Sequence, residues 1–221
     1  NYIQRFINPT LTVLPGNIRN IPCILPENDD IFQRLIGENI KLSEQDWNSS
    51  ETSWNFKYHP LLNKADSIAE AFEKWSDECD TQWKKLKYNE EELNRIFIDI
   101  YGLQDELSPE VEEKDITVRK ADLQHDIRSF VSYAVGCMFG RYSLDEEGLI
   151  YAGGEWDSSR YKTFMPDEDN CIPITDEEYF FDDIVGYLVE FVKTVYGADT
   201  LEENLDFIAK ALGNKGDTSR E

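Results

Sequence analysis

The sequence predicts a mainly α protein: a long amphipathic spacer-like helix packed with a helical bundle, plus a small irregular β element at the N-terminus. Three observations carry this. From Asp66, apolar residues recur at steps of three and four over about thirty-five residues. Two further amphipathic stretches close the chain, and the opening residues alternate short apolar runs with Pro15, Gly16, Pro22 and Pro26.

The chain divides into stretches 1–27, 28–65 and 66–221. In the first, LTVLPGN and IRNIPCILP read as short strands and turns. In the second, a short helix is expected over 29–42, where Ile31, Leu35, Ile36 and Ile40 fall near a helical stripe that Gly37 weakens. The loop that follows contains Trp47, Trp54, Phe56 and Tyr58, which are too apolar for a free linker, so it is expected to be ordered across a hydrophobic surface.

The third stretch opens with the long helix. Its stripe runs through Ile68, Phe72, Trp75, Cys79, Trp83 or Gln82, Leu86, Leu93, Phe97 and Ile100, with an interruption near residues 88–91. No Pro or Gly breaks it before Gly102, so at about 1.5 Å per residue it spans on the order of 50 Å. A stripe of this kind is expected to be mostly buried. A further helix starting at Ala121 has apolar residues on every side in its later half and belongs at the centre of the fold. The last two helices are expected over 177–196 and 200–212.

Composition narrows the function. The chain has 221 residues, is 40% hydrophobic and carries a formal net charge of −23, whereas a domain that neutralises phosphates by itself normally shows a basic surplus. The charge is uneven: residues 1–26 contain Arg5 and Arg19 and no acid, while 167–206 are strongly acidic and contain Lys193 as their one basic residue. The longest apolar run, FVSYAVGCMF, is about half of what a bilayer requires, so no membrane partner is expected. Cys23, Cys79, Cys137 and Cys171 form no CxxC pair and sit mostly among apolar neighbours, which suits reduced, buried thiols in a cytoplasmic protein.

No local signature of a reaction centre stands in the sequence. Gly153-Gly154 follows an apolar run but leads into EWDSS rather than a helix, which suits a tight turn and not a cofactor loop. His59 and His125 cannot make a metal site without carboxylate help. The acids of PDEDN and EEK come in the wrong order and context for a magnesium nuclease, and read as solvated loops. Asn8-Pro9 begins an Asn-Pro-Pro-aromatic loop that Thr10 and Leu11 do not complete. No catalytic, cofactor-binding or metal residue is assigned. What remains is a basic set, Arg119, Lys120, Arg128, Arg141, Arg160 and Lys162, interleaved with Tyr142, Trp156 and Tyr161. That combination is what contacts to a nucleic-acid backbone use, and the six cations are the candidate DNA-backbone contacts.

At NEEELNRIFIDIYGLQDELSPEV, VRKADLQHDIRSFVSYAVGCMFGRYSLDEEGLIYAGGEWD, PITDEEYFFDDIVGYLVEFVKTVYG and TLEENLDFIAKALG, the chain resembles the C-terminal third of large adenine-specific DNA methyltransferases. The resemblance is nearest to the BREX phage-defence methyltransferases of the PglX type and related fused restriction-modification enzymes. It covers most of residues 66–221. INPTLTVLPGNIRNIPCILP resembles, more loosely, the closing strands of a target recognition domain, so 1–27 is expected to be a remnant of one and the sequence to be incomplete at both ends.

The resemblance implies a parent enzyme that transfers a methyl group from S-adenosylmethionine to the exocyclic amino group of adenine in duplex DNA. In that family the cofactor fingerprint and the Asn-Pro-Pro-aromatic loop lie upstream of the matched region, so no catalytic position carries over and no cofactor is expected here. The expectation is a non-catalytic C-terminal part that positions DNA-recognition elements, with other defence-system proteins as further partners. The alternative is an acidic protein-protein interaction module in which the 167–206 face docks another defence component.

Overall fold

The structure is a computed structural model that describes residues 14–20, 24, 29–62, 65–175, 180, 182–214 and 216–220. Among these residues it is helical throughout: α1 (Pro15–Arg19), α2 (Asp29–Asn48), α3 (Ile68–Tyr101), α4 (Leu123–Met138), α5 (Ile184–Tyr196) and α6 (Leu201–Leu212), with 3-10 turns at Glu113–Asp115 and Ser158–Arg160. The expected β element is corrected. The main described part of residues 1–27 is α1, and the rest, including Asn8-Pro9 and Cys23, lies largely outside the described residues. Pro15, read from sequence as turn punctuation, takes a first-turn helical position, where its missing N–H needs no partner and its fixed φ already suits a helix.

The long helix is continuous for 34 residues. It starts where Ser67 stays extended and its hydroxyl accepts the Glu70 backbone N–H. It ends at Gly102, whose left-handed conformation (φ 65°) turns its N–H back onto the Asp99 and Ile98 carbonyls. Its two halves have different surroundings. Ile68, Ala71, Trp75 and Cys79 enter the main core with Ile127, Phe130, Tyr133 and Ala134 of α4, Phe191 and Val192 of α5, and Leu205 and Ile208 of α6. Trp83 and Leu86 join a smaller cluster with Leu42 of α2 and with Ile116 and Val118. Beyond that cluster α3 is an arm lying along α2.

The interruption of the stripe at 88–91 is a polar lock. Asn89 is fully buried, and its amide nitrogen donates to Glu38 Oε2 (3.0 Å) and Asn39 Oδ1 (2.9 Å) of α2. Lys85 adds an ion pair to Glu38 (3.0 Å), and the hydrogen bonds from Lys85 and Asn89 hold the Glu38 carboxyl below its ordinary range. These bonds set the register of α2 on α3. Replacing the buried Asn89 by Ala is expected to cost about 1–3 kcal/mol, the usual effect of removing hydrogen bonds of which one goes to a carboxylate. Urea unfolding measures it, and an unchanged midpoint would mean that the lock contributes nothing.

Elsewhere the elements differ from expectation for identifiable reasons. α2 continues past residue 42 to Asn48, because Leu42 packs in the second cluster and Asp46 accepts the Arg119 backbone N–H. α5 begins at Ile184, where the Asp183 carboxylate accepts the Gly186 N–H (2.6 Å), rather than near 177. The outer part of the α3 stripe is less covered than its spacing suggested: Leu93, Phe97 and Ile100 are half-buried, with Phe97 meeting Phe32 edge-on at 5.5 Å. In the aromatic loop Phe56 is buried in the main core, whereas Trp47 and Trp54 are exposed. Cys79 and Cys137 are buried free thiols that burial pushes up to about 12, and Cys171 is exposed.

Candidate nucleic-acid interface

The six candidate DNA contacts fall into three places. Arg119 follows the segment that packs on α3 through Ile116 and Val118, and its side chain is partly buried among internal partners. Its backbone N–H donates to Asp46 (3.3 Å), its guanidinium donates to Asp126 Oδ1 (2.7 Å) and lies over the Trp75 ring at 5.5 Å. Asp126 is 2% exposed, and its other oxygen accepts the Asp122 N–H (3.0 Å). Burial pushes the Asp46 carboxyl up, against the opposing pull of Arg119. Lys120 sits 4.1 Å above the Trp83 ring and pairs with Glu113 at 3.8 Å. Two successive cations thus lie over two tryptophans about two turns apart along α3, clamping this segment to the long helix.

Arg160 is also engaged. It bonds Glu146 through Nε (2.8 Å) and Nη2 (2.7 Å) and donates to the Ile150 carbonyl (3.1 Å), which closes the loop between them. Arg128, Arg141 and Lys162 have exposed side chains that make no ion pair among the described residues. Arg128 lies on α4, roughly 15 Å along the axis from the helix's end.

Arg141 and Lys162 are chain neighbours of residues that build an aromatic platform. Trp156, 47% exposed, stacks on Tyr161 (4.9 Å, 14° between planes) and receives the Tyr151 ring edge at 5.2 Å. The Tyr161 hydroxyl donates to the Gly140 carbonyl (2.5 Å), and Gly140 has φ +70°. A Cβ there would stand 2.6 Å from the Trp156 ring, so glycine is needed both for the turn and for the approach of the indole. Arg141 follows Gly140 and Lys162 follows Tyr161 in the chain, and the Arg141 guanidinium lies over the Tyr142 ring at 5.6 Å, its Nε donating to the Tyr142 hydroxyl (3.2 Å). Acids are close: Asp145 accepts the Lys162 and Thr163 N–H groups and the Thr163 hydroxyl, and its carboxyl is held below the ordinary range by that hydroxyl first.

The remaining motifs have structural roles. Asp167 of PDEDN accepts from the Tyr187 hydroxyl (2.8 Å) and the Cys171 N–H (3.1 Å), and its own N–H donates to the Met138 carbonyl, which ties α4 to α5. Gly153 and Gly154 both have positive φ, as a tight turn needs. Buried His59 accepts the Leu61 N–H at Nδ1 (3.3 Å), while His125 is exposed in the first turn of α4. A small apolar groove of about 260 Å³ between α5 and α6 is lined by Val185, Leu188, Leu205 and Ile208. Sequence reading missed Asp46, Asp126 and Asn89, because a polar residue inside a helix announces burial only through its partner on another element.

The fold and surface define a helical module whose long helix joins a bundle to an outlying arm, with an aromatic cluster in the loop after the central helix. No protein-family model matches the chain. Over 223 residues it is 48% identical to the adenine-specific methyltransferase PglX of Lacticaseibacillus casei (strain Zhang), an alignment covering 97% of this chain and 18% of that protein. It is 33% identical over 234 residues to the adenine-specific methyltransferase BrxX of Escherichia coli O9:H4 (strain HS), covering 96% of this chain and 19% of that protein. Nearly the whole chain therefore corresponds to a segment of PglX- and BrxX-type adenine-specific methyltransferases, and it spans about a fifth of their length.

Proposed function

We propose that this region is a non-catalytic, C-terminal positioning part of an adenine-specific DNA methyltransferase of a phage-defence or restriction-modification system, working with DNA in the cytoplasm. The observation that supports it most is the alignment of 97% of the chain with a segment of PglX. The methyl donor, S-adenosylmethionine, and the target adenine belong on this reading to the rest of the parent. The role of this region is to hold recognition elements at a set distance. A single helix of 34 residues, on the order of 50 Å long, suits that role, with one half fixed in the bundle and the other locked to α2 through Asn89.

Arg128, Arg141 and Lys162, with the Trp156 platform, are the DNA-facing candidates. Arg119, Lys120 and Arg160 serve the fold. Alone, the region binds duplex DNA weakly, because a net charge of −23 removes long-range attraction while salt restricts each cation to a Debye length of about 8 Å. Fluorescence anisotropy with a labelled 30-mer duplex at physiological salt tests this. The expected dissociation constant lies at or beyond the weak end of roughly 10⁻⁴ to 10⁻⁶ M. A value near or below about 1 μM would make this region the reader itself and overturn the positioning role. Saturable micromolar binding of S-adenosylmethionine in calorimetry would overturn the non-catalytic assignment.

A further inference from the structure

An open cleft of about 770 Å³ lies between the end of α2 and the aromatic loop, and the DNA reading makes no use of it. Its walls include Glu44 and Asn48 of α2, Trp54 and Tyr58 of the loop, Trp75 of α3, and Glu147. Trp54 is fully exposed, yet the turn that presents it is rigidly held. The Ser53 hydroxyl donates to Asn48 Oδ1 (2.6 Å) and accepts the Asn55 N–H (3.1 Å), and Ser53 and Phe56 on either side are buried. A large indole kept in water on an ordered turn is the arrangement of a contact anchor, not of a slack loop.

The cleft is also negative. Glu44 makes no ion pair among the described residues, and the cation on the rim, Lys57, is already paired with Glu147 at 2.7 Å. The Tyr58 hydroxyl is pushed up by burial and then by Glu147, Asp145 and Glu146, but Glu147 is paired with Lys57, Glu146 with Arg160 and Asp145 with Thr163, so Glu44 is the lining carboxylate left without an ion pair among the described residues. The carbonyl end of α2 adds its partial negative charge. Aromatic faces among carboxylates attract a planar cation and repel phosphate. Outside the cleft the protein holds its own Arg119 in this manner, with the guanidinium over Trp75 and against Asp126 and Asp46.

We propose that this cleft docks an arginine-bearing segment of a protein partner, with Trp54 as the aromatic anchor and Glu44 as the counter-charge. The inference is independent of how, or whether, this region touches DNA. A fluorescein-labelled peptide of alternating alanine and arginine is the probe, titrated into the 221-residue protein, with the same peptide carrying neutral citrulline for arginine as its control. Saturable binding of the arginine peptide alone is expected, weakened about tenfold by Trp54→Ala and several-fold by Glu44→Gln. Glu190→Gln, an exposed acid on α5, leaves it unchanged. Because Trp54 and Glu44 are exposed, both variants retain the fold. The proposal is overturned by absence of binding, or by equal effects of all three substitutions, which would mean diffuse attraction to an acidic body.

Discussion

Replacing Arg119 by Ala is expected to lower folding stability by about 3–5 kcal/mol, because it strands Asp126, a carboxylate only 2% exposed, without its counter-charge. For a chain of this length that loss corresponds to a fall of roughly 6–20 °C in melting temperature. The same substitution uncovers Trp75 and removes the donor side of the clamp between α3 and the start of α4. The double variant Arg119→Met with Asp126→Leu should recover most of the loss, since a well-packed apolar pair needs no charge balance. Thermal and urea unfolding decide it. A single-variant loss below about 1 kcal/mol would mean that the Asp122 N–H alone satisfies Asp126. This result also bears on function: were Arg119 free to meet phosphate, its removal would weaken DNA contacts and leave stability unchanged.

Phe130→Ala should cost a comparable amount, about 3–5 kcal/mol, for a different reason. Phe130 is fully buried at the centre of α4, with ring centroids 5.7 Å from Phe191, 6.3 Å from Tyr196 and 5.5 Å from His59. Three elements meet at that ring, so the space left by its removal cannot close without moving a helix. Phe97, at the same spacing logic on α3, is half-buried and meets Phe32 edge-on, and its truncation should cost nearer 1–2 kcal/mol. Urea midpoints of the two variants compare them directly. Equal losses would mean that the outer arm of α3 is as tightly packed as the bundle.

Much of the candidate site was legible as residue types and little of it as geometry. The basic and aromatic set between residues 119 and 162 was identifiable from its composition, and the loop 139–162 brings Trp156 onto Tyr161 and the Tyr161 hydroxyl onto Gly140. Which cations remain unpaired was not legible. Arg119 meets Asp46 from 73 residues away, and Arg160 meets Glu146 across a turn whose path depends on Gly140 accepting the Trp156 ring. The cleft at Trp54 was invisible for the same reason. The loop's aromatic content marked it as ordered, and one of its aromatic side chains, Phe56, is the one that enters the core.

The sequence by itself determined the helices and their limits where the code is local. A hydroxyl at Ser67, a stripe at helical spacing and a glycine at 102 are enough to start, bury and stop α3, because capping and amphipathicity act over a few residues. The same holds for α4, whose all-round apolar second half has nowhere stable to be except the centre. Only the tertiary structure decided what the polar residues inside those patterns do. Asn89 reads as a break in the stripe and is a lock, since Glu38 and Asn39 arrive from another helix some fifty residues earlier. Arg119 and Lys120 read as a basic pair and are clamps on Trp75 and Trp83. The physical reason is one of range. Apolar burial is non-directional and any partner face satisfies it, so spacing along the chain predicts it. A buried hydrogen bond or ion pair needs one particular group at about 3 Å, and only the packing of distant segments supplies that group.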